Sequence, residues 1–261
     1  MAFFIFLVIK LINVFQRHYI IFKNLLKNSQ AITHIGYFYQ EGLGVEKNYL
    51  KAKEFYKKAA KRGNSKALLY IGYLYQHGFG VDINYSKAVK YYLKSIENGN
   101  LDACFSMAFL YEKGFGVKQN YSIAMEYYQK AAKKGHADSL NNIGSLYQNG
   151  LGVEIDYLNA MDYYLKSAEK GNPYALNNIG NLYYNGFGVQ QDYKKAKKYY
   201  IKASDQGNYF AIYTLGYMYE TGKGVEVDFD KALHYYERSA SYGYLMAQDA
   251  LKRIKHDTTG Q

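Results

Sequence analysis

Two glycines one residue apart, Gly42 and Gly44, stand directly before a stretch with helical periodicity, as glycines do in many phosphate-binding loops. A phosphate-binding loop is formed once per domain, follows a strand, and carries a third glycine or a Gly-Lys-Ser/Thr ending. Here the pair recurs every 36 residues without either ending, at Gly78, Gly114, Gly150, Gly186 and Gly222. The glycines therefore indicate a structural role in a repeated element and argue against a nucleotide site.

The other residues that could do chemistry are isolated from one another. No two histidines are four residues apart, so none pairs on a helical face in the spacing of a metal site. They are His18, His34, His77, His136, His234 and His256. Cys104 is the only cysteine, and neighbouring repeats have Ile32 and Leu68 in its place, so we expect a buried, apolar role rather than a nucleophile. The sequence thus predicts no enzyme, no metal and no cofactor.

The repeat over 64–99 contains two predicted helices, because small and apolar residues recur there at i, i+4 and i+8. We call the first helix A, over 65–77, and the second helix B, over 85–98. The glycines between them permit the positive φ that ends helix A. Asn84 then stands where an N-cap is expected.

Every repeat predicts the same helix boundaries. Helix B is capped in turn by Asn48, Asn84, Asn120, Asp156, Asp192 and Asp228. Helix A of the later repeats is capped by Asn64, Asn100, His136, Asn172 and Asn208, and the only proline, Pro173, follows one of these caps. Helix B ends at Gly63, Gly99, Gly135, Gly171, Gly207 and Gly243. Small residues inside helix A predict a close approach of two helix backbones at Gly36, Gly72, Ala108, Gly144, Gly180 and Gly216.

These periods predict an all-α array rather than a set of separate globular domains. Six repeats fill 28–63, 64–99, 100–135, 136–171, 172–207 and 208–243, and a capping helix and tail follow over 244–261. A single hairpin cannot bury its apolar face alone, so neighbouring repeats must stack.

The segment 1–27 differs from the rest, since it is apolar with a break at Lys10. Three interpretations remain open for it: an atypical signal or anchor, a degenerate helix that covers the first repeat, or a wrongly assigned gene start. The single cysteine slightly favours a cytoplasmic, reducing compartment. A signal or anchor in 1–27 would instead predict a secreted or membrane-anchored protein, and no other segment predicts membrane association.

The repeated pattern A-x-x-x-[IL]-G-x-x-Y-x-x-G-x-G-V-x-x-[ND]-Y-x-x-A-x-x-Y-Y-x-K-[AS]-A-x-x-G resembles the Sel-1-like repeat, a relative of the tetratricopeptide repeat. The resemblance covers 28–243, with tyrosine where the family often has tryptophan before the helix-B tyrosine. It implies a right-handed α/α superhelical solenoid that works as a non-enzymatic adaptor for protein partners. It also implies that helix A lines the concave face and helix B the convex face.

The helix-A positions that are not assigned to the core predict where a peptide or protein surface would bind. These positions vary among the repeats and are rich in aromatic and amide side chains, which supply contact area and hydrogen bonds to a peptide backbone. We call them the groove face: Tyr37, Leu69, Tyr73, Gln76, Phe105, Phe109, Glu112, Asn141, Gln148, Asn177, Asn181, Tyr184, Tyr213, Tyr217 and Glu220. The alternative for the aromatic members is that they only fill the space between repeats.

The same sequence leaves two other functions as alternatives. The net charge of +11 and the lysines of helix B would suit a scaffold for anionic lipid or nucleic acid, although no nucleic-acid-binding motif is present. Some cysteine-rich relatives have been assigned β-lactam binding or hydrolysis, but those proteins depend on disulfides that one cysteine cannot form. The sequons at Asn84 and Asn120 coincide with helix caps, which is the simpler explanation for both asparagines.

Overall fold

The structure, a computed structural model, describes residues 28–259, with side chains described as far as Ile254. All regular structure in this part of the chain is α-helical. The backbone forms two compact units, one up to Tyr127 and one from Tyr128 onwards, and the sixth helix contains this division. The expectations for 1–27 lie outside the described residues.

The helices alternate between the A and B positions of successive repeats. In the first unit they are α1 (Ser29–Glu41), α2 (Tyr49–Ala60), α3 (Ser65–His77), α4 (Tyr85–Glu97) and α5 (Asp102–Lys113), and α6 (Tyr121–Ala132) spans the division. In the second unit they are α7 (Ala137–Asn149), α8 (Tyr157–Glu169), α9 (Pro173–Asn185), α10 (Tyr193–Asp205), α11 (Tyr209–Thr221), α12 (Phe229–Ser241) and α13 (Leu245–Thr259). The all-α repeat solenoid expected from the sequence is confirmed.

The predicted caps of helix B are present in every repeat. Asn84, for example, accepts a hydrogen bond from the backbone N–H of Lys87 at 2.9 Å, while its own N–H donates to the carbonyl of Tyr75 at 2.8 Å. The second bond closes the glycine-rich loop onto the end of helix A. Since both asparagines of the sequons cap helices in this way, capping is confirmed for Asn84 and Asn120.

One helix-A cap departs from expectation. Asn100 lies two residues before α5 and accepts from the N–H of Asp102 at 3.0 Å, while Leu101 takes the N-cap position without a side-chain bond. The helix therefore starts one residue late, and its first backbone bond runs from the N–H of Cys104 to the carbonyl of Leu101, three residues back, at 3.0 Å. At the other predicted helix-A caps the side chain accepts the expected bond, including His136 Nδ1 from Ser139 N at 3.2 Å.

The glycine inside helix A makes room for an aromatic ring. A Cβ on Gly180 would lie 2.6 Å from the ring of Tyr200, the buried helix-B tyrosine of the same repeat, and Gly72 meets Tyr92 in the same way. The helix backbone is also close, since a Cβ on Gly36 would lie 3.2 Å from the carbonyl oxygen of Ala52. The predicted close approach is thus present, and the ring that occupies it comes from helix B.

Each core is shared by three consecutive helices. In the first unit, Ile32 of α1, Tyr56 of α2 and Ile71 of α3 belong to one buried cluster, and Val81 of the following loop packs against it. In the second unit, Tyr164 of α8 and Ile179 of α9 form an equivalent cluster. Stacking of a hairpin on the next helix A, rather than the hairpin alone, completes the burial.

Candidate partner-binding face

The groove face also holds the acceptors for the buried tyrosines of helix B. The hydroxyl of Tyr92 donates to Gln76 Oε1 at 2.7 Å, and Tyr164 donates to Gln148 Oε1 at 2.9 Å. Glu220 accepts in the same way from Tyr236. Burial raises the pKa of each of these tyrosines, so the neutral, donating form is held in the core. Gln76, Gln148 and Glu220 therefore have a structural role whatever else they contact.

The fifth repeat provides a different acceptor for the hydroxyl of its buried tyrosine. Its residue at the acceptor position is Tyr184, whose hydroxyl does not accept from Tyr200. The hydroxyl of Tyr200 instead donates to Asn181 Oδ1 at 2.7 Å, three residues earlier on α9. Because Asn181 is the acceptor, Tyr184 is not needed in that role. Its ring packs edge-on against Tyr193 with centroids 5.1 Å apart.

Amide side chains gather in the second unit. Asn141 of α7 accepts a hydrogen bond from Asn178 Nδ2 of α9 at 3.0 Å, so this member of the groove face joins two neighbouring repeats. Asn177 is only 7% exposed, and its Oδ1 makes no hydrogen bond with the described residues. A buried carbonyl without a donor costs about 1–3 kcal/mol, and Asn177 Oδ1 carries this cost.

The aromatic members of the groove face are half-buried, with one exception. Leu69 and Phe109 pack against the core of the first unit, as Tyr213 and Tyr217 do in the second. Tyr73 is exposed and lies against His77 with ring centroids 4.2 Å apart. Tyr37, Phe105 and Glu112 are also half-buried. These side chains thus fill space between helices and also present surface.

One group of charged residues on this face lies near the end of the second unit. Arg253 of α13 pairs with the carboxylate of Glu220 at 2.6 Å, and this partner together with the Tyr236 hydroxyl holds the pKa of Glu220 below its usual range despite burial. Lys223, in the loop after α11, places its Nζ 5.3 Å from the ring centre of Tyr184 and 5.4 Å from that of Tyr217. The Tyr184 hydroxyl raises the pKa of Lys223, so its ammonium stays charged.

Helix B carries a different, basic surface. On α10, the Nζ atoms of Lys195 and Lys202 lie 5.3 Å and 5.8 Å from the rings of Tyr183 and Tyr199, which stack on each other. These residues and Lys198 line a shallow cleft of about 460 Å³. None of the residues that line this cleft belongs to the groove face.

The predicted buried place of Cys104 is confirmed, since the residue is fully inaccessible. Within residues 28–259, no histidines, cysteines and carboxylates cluster as metal ligands. Among these same residues, no helix combines the length and the apolar character needed to cross a membrane.

Comparisons with known proteins give the family. The Sel1 repeat model matches at residues 29–64, 65–100, 101–136, 137–172, 173–208 and 210–244. A Sel1 repeat protein from Oxalobacter formigenes is 35% identical over 82% of this chain and 86% of its own, with a TM-score of 0.77. A protective antigen of uropathogenic Escherichia coli with an SLR fold is 34% identical over 87% of this chain, with a TM-score of 0.71.

Two of the similar proteins match this chain only over part of their length or only in fold. The chain spans about half of the Escherichia coli antigen, 48% of its length. An immunity protein of Pseudomonas aeruginosa, Pa5087, is 24% identical over 73% of each chain with a TM-score of 0.53, a likeness that shows the fold alone. No curated protein matches the chain significantly. With six matched repeats over most of its length, the chain belongs to the Sel1 repeat family.

Proposed function

We propose that this chain is a non-enzymatic adaptor that binds a peptide segment or protein surface of its partner through the groove face. Proteins of the Sel1 repeat family are generally scaffolds for protein–protein interaction. The groove-face part of the proposal concerns each compact unit by itself. Its residues are Tyr37 to Glu112 of the groove face in the first unit and Asn141 to Glu220 in the second.

The observation that supports this proposal is the contrast between two sets of positions on the same helices. Positions that pack the core keep their residue type: the buried helix-B ring is tyrosine at Tyr56, Tyr92, Tyr164, Tyr200 and Tyr236. Groove-face positions other than the acceptors change from one repeat to the next, for example from Leu69 to Asn141 and Tyr213. The acceptors Gln76, Gln148 and Glu220 differ from these, since each keeps a side-chain oxygen that accepts from the buried tyrosine. Side chains that packing does not specify, yet that remain half-buried and aromatic, suit contact with a partner.

A matched pair of variants tests the proposal in the full chain. The groove variant carries Tyr73→Ala, Phe109→Ala and Tyr217→Ala, none of which accepts a hydrogen bond from a buried tyrosine. The control variant carries Lys57→Ala, Lys90→Ala and Lys198→Ala, which are exposed on helix B. Both variants should keep the far-ultraviolet circular dichroism of the parent protein.

The measurement is affinity capture from the cell of origin, with quantitative mass spectrometry of the bound proteins. We expect specific partners to fall at least about fivefold with the groove variant and to remain with the control variant, since each lost aromatic contact is worth about 1 kcal/mol or more. The reverse result would contradict the groove face and favour an anionic ligand at the basic surface of helix B. Such a ligand would also be released by moderate salt.

A further inference from the structure

Three departures from the repeat pattern meet at the junction of the fifth and sixth repeats. The first is Tyr184, where the other repeats have Gln40, Gln76, Glu112, Gln148 and Glu220. The second is Asn181, which takes over the hydrogen bond of Tyr200 and so allows the first. The third is Lys223, where the other repeats have Leu43, Phe79, Phe115, Leu151 and Phe187.

The third departure changes the contacts of the loop. Phe187 stacks on Tyr157 of the preceding repeat with centroids 5.0 Å apart, and Phe79 stacks on Tyr49 at 4.8 Å. The corresponding partner of Lys223 would be Tyr193, but that ring packs against Tyr184 instead. A stacked apolar pair has been replaced by an aromatic group with a cation beside it.

The cation is available to a ligand. The ammonium of Lys223 lies near the rings of Tyr184 and Tyr217 and forms no ion pair with any described residue. The acidic Glu220, three residues earlier, already binds Arg253 and Tyr236. Lys223 therefore supplies a positive charge that no described acid pairs with, and two ring faces restrict where a carboxylate can approach it.

A second, independent feature that indicates a ligand lies on α9, the helix that carries Tyr184. Asn177 is 7% exposed and has an Oδ1 without a donor among the described residues. It precedes Asn181 and Tyr184 by one and two helical turns, so the three share one side of α9. Seven residues of helix correspond to about 10 Å, which is the length of about three residues of extended chain.

We propose that Asn177, Tyr184, Tyr217 and Lys223 form a recognition site for an extended peptide segment of a protein partner that carries an aspartate or glutamate side chain. The peptide would place its carboxylate against Lys223 and, about three residues away, donate a main-chain N–H to Asn177 Oδ1, which is covered from solvent in the unbound chain and must be uncovered by a shift of its side chain on binding. The inference rests on the proposed function and makes it more specific. Lys223 lies in a loop at the end of the helix hairpin, so the peptide has room to continue beyond it, and a chain terminus is not required.

The probes are two libraries of heptapeptides, acetylated and amidated at their ends, with a fixed central Glu or a fixed central Gln and random residues other than Asp and Glu around it. The full chain, immobilised, selects from each library, and the enriched peptides are titrated by fluorescence anisotropy. We expect enrichment from the Glu library only, with a loss of at least about tenfold in affinity when Glu becomes Gln, because the ion pair with the Lys223 ammonium is replaced by a weaker bond to a neutral amide oxygen.

Two variants test the residues, and each restores a residue that another repeat uses. Lys223→Phe brings back the aromatic loop residue, so it should fold, and it should lower the affinity for the Glu peptides about tenfold while leaving the Gln peptides unchanged. Asn177→Leu brings back the residue at position 69 and should weaken both kinds of peptide severalfold. Lys198→Ala, on helix B, is the matched control that should change neither.

The possible outcomes distinguish the acidic-peptide site from the broader proposal that the groove face binds a partner. Equal affinity for Glu and Gln peptides, or no effect of Lys223→Phe, would overturn the acidic site. If those same peptides were still lost with the Tyr73, Phe109 and Tyr217 variant, the groove face would stand. If an enriched Gln peptide bound tightly only when it was resynthesised with a free carboxyl end, the carboxylate would belong to a chain terminus and the inference would be overturned. Failure of both libraries to yield a binder would also count against it.

Discussion

At the scale of the residue, the hydroxyl of the buried tyrosine needs a hydrogen-bond acceptor, which each repeat must provide. A phenol can be buried when its O–H has an acceptor, and the groove face supplies one at Gln76 for Tyr92 and at Asn181 for Tyr200. The two solutions are alternatives: the acceptor lies 16 residues before the tyrosine in one and 19 residues before it in the other. Positions 181 and 184 are therefore coupled.

A double-mutant cycle tests this coupling. Asn181→Tyr alone removes the acceptor of Tyr200 and should lower the free energy of unfolding by about 1–3 kcal/mol, because the buried hydroxyl loses its partner. Adding Tyr184→Gln recreates the arrangement of the second repeat and should recover at least about 1 kcal/mol of that loss. Urea unfolding of the four proteins, followed by circular dichroism, gives the interaction energy. Additive effects of the two substitutions would show that the positions act independently.

At the scale of the element, the loop between helices A and B has two requirements for glycine, and the sequence alone indicates one of them. The recurring pair predicts positive φ, and Gly186 and Gly188 have φ values of +73° and +67°. The second glycine has a further function, since a Cβ on Gly188 would lie 2.5 Å from the Cβ of Tyr157 in the preceding repeat. Local propensity cannot reveal such a contact, because it depends on how two repeats stack.

A comparison of two glycines separates these causes. Gly171, at the end of helix B, has φ +83°, and a Cβ there would meet no atom of a non-adjacent residue within 4 Å. Gly171→Ala should therefore cost about 1–2 kcal/mol for its backbone conformation alone. Gly188→Ala adds a clash with Tyr157 and should cost at least about 1 kcal/mol more. Chemical denaturation of both variants measures the difference. Equal losses would mean that the loop moves away from the preceding repeat at little cost.

At the scale of the whole molecule, periodicity is sufficient to predict the all-α solenoid, the positions of the helices and nearly every cap. These features are set locally and repeated, so each copy supports the others. The junction around Tyr184 and Lys223 is harder to foresee. The sequence places Tyr184 on the groove face, but the exchange of acceptors that frees it, and the cation beside it, depend on contacts between helices that a single column of residues does not display.

The same repetition gives the molecule a collective response to alkaline pH. Burial is the main cause that raises the pKa of Tyr56, Tyr92, Tyr164, Tyr200 and Tyr236 above the usual value for tyrosine. In the unfolded chain a tyrosine titrates near pH 10. The stability that each buried tyrosine contributes is therefore complete below pH 10 and is lost as the pH rises from there towards the higher pKa of the folded state.

We expect the free energy of unfolding to vary little between pH 8 and 9 from this cause and to fall above pH 10, by about 1.4 kcal/mol per pH unit for each buried tyrosine in the unit that unfolds. Tyr200→Phe should make this slope shallower by about that amount, although the variant is less stable at neutral pH for lack of its hydrogen bond to Asn181. Tyr242→Phe, at a residue that is 53% exposed, should leave the slope unchanged. Urea unfolding at several pH values measures the slopes, and tyrosinate absorbance at 295 nm reports when the rings ionise. If Tyr200→Phe and Tyr242→Phe gave the same slope as the parent, ionisation of lysines rather than of the buried rings would control alkaline unfolding.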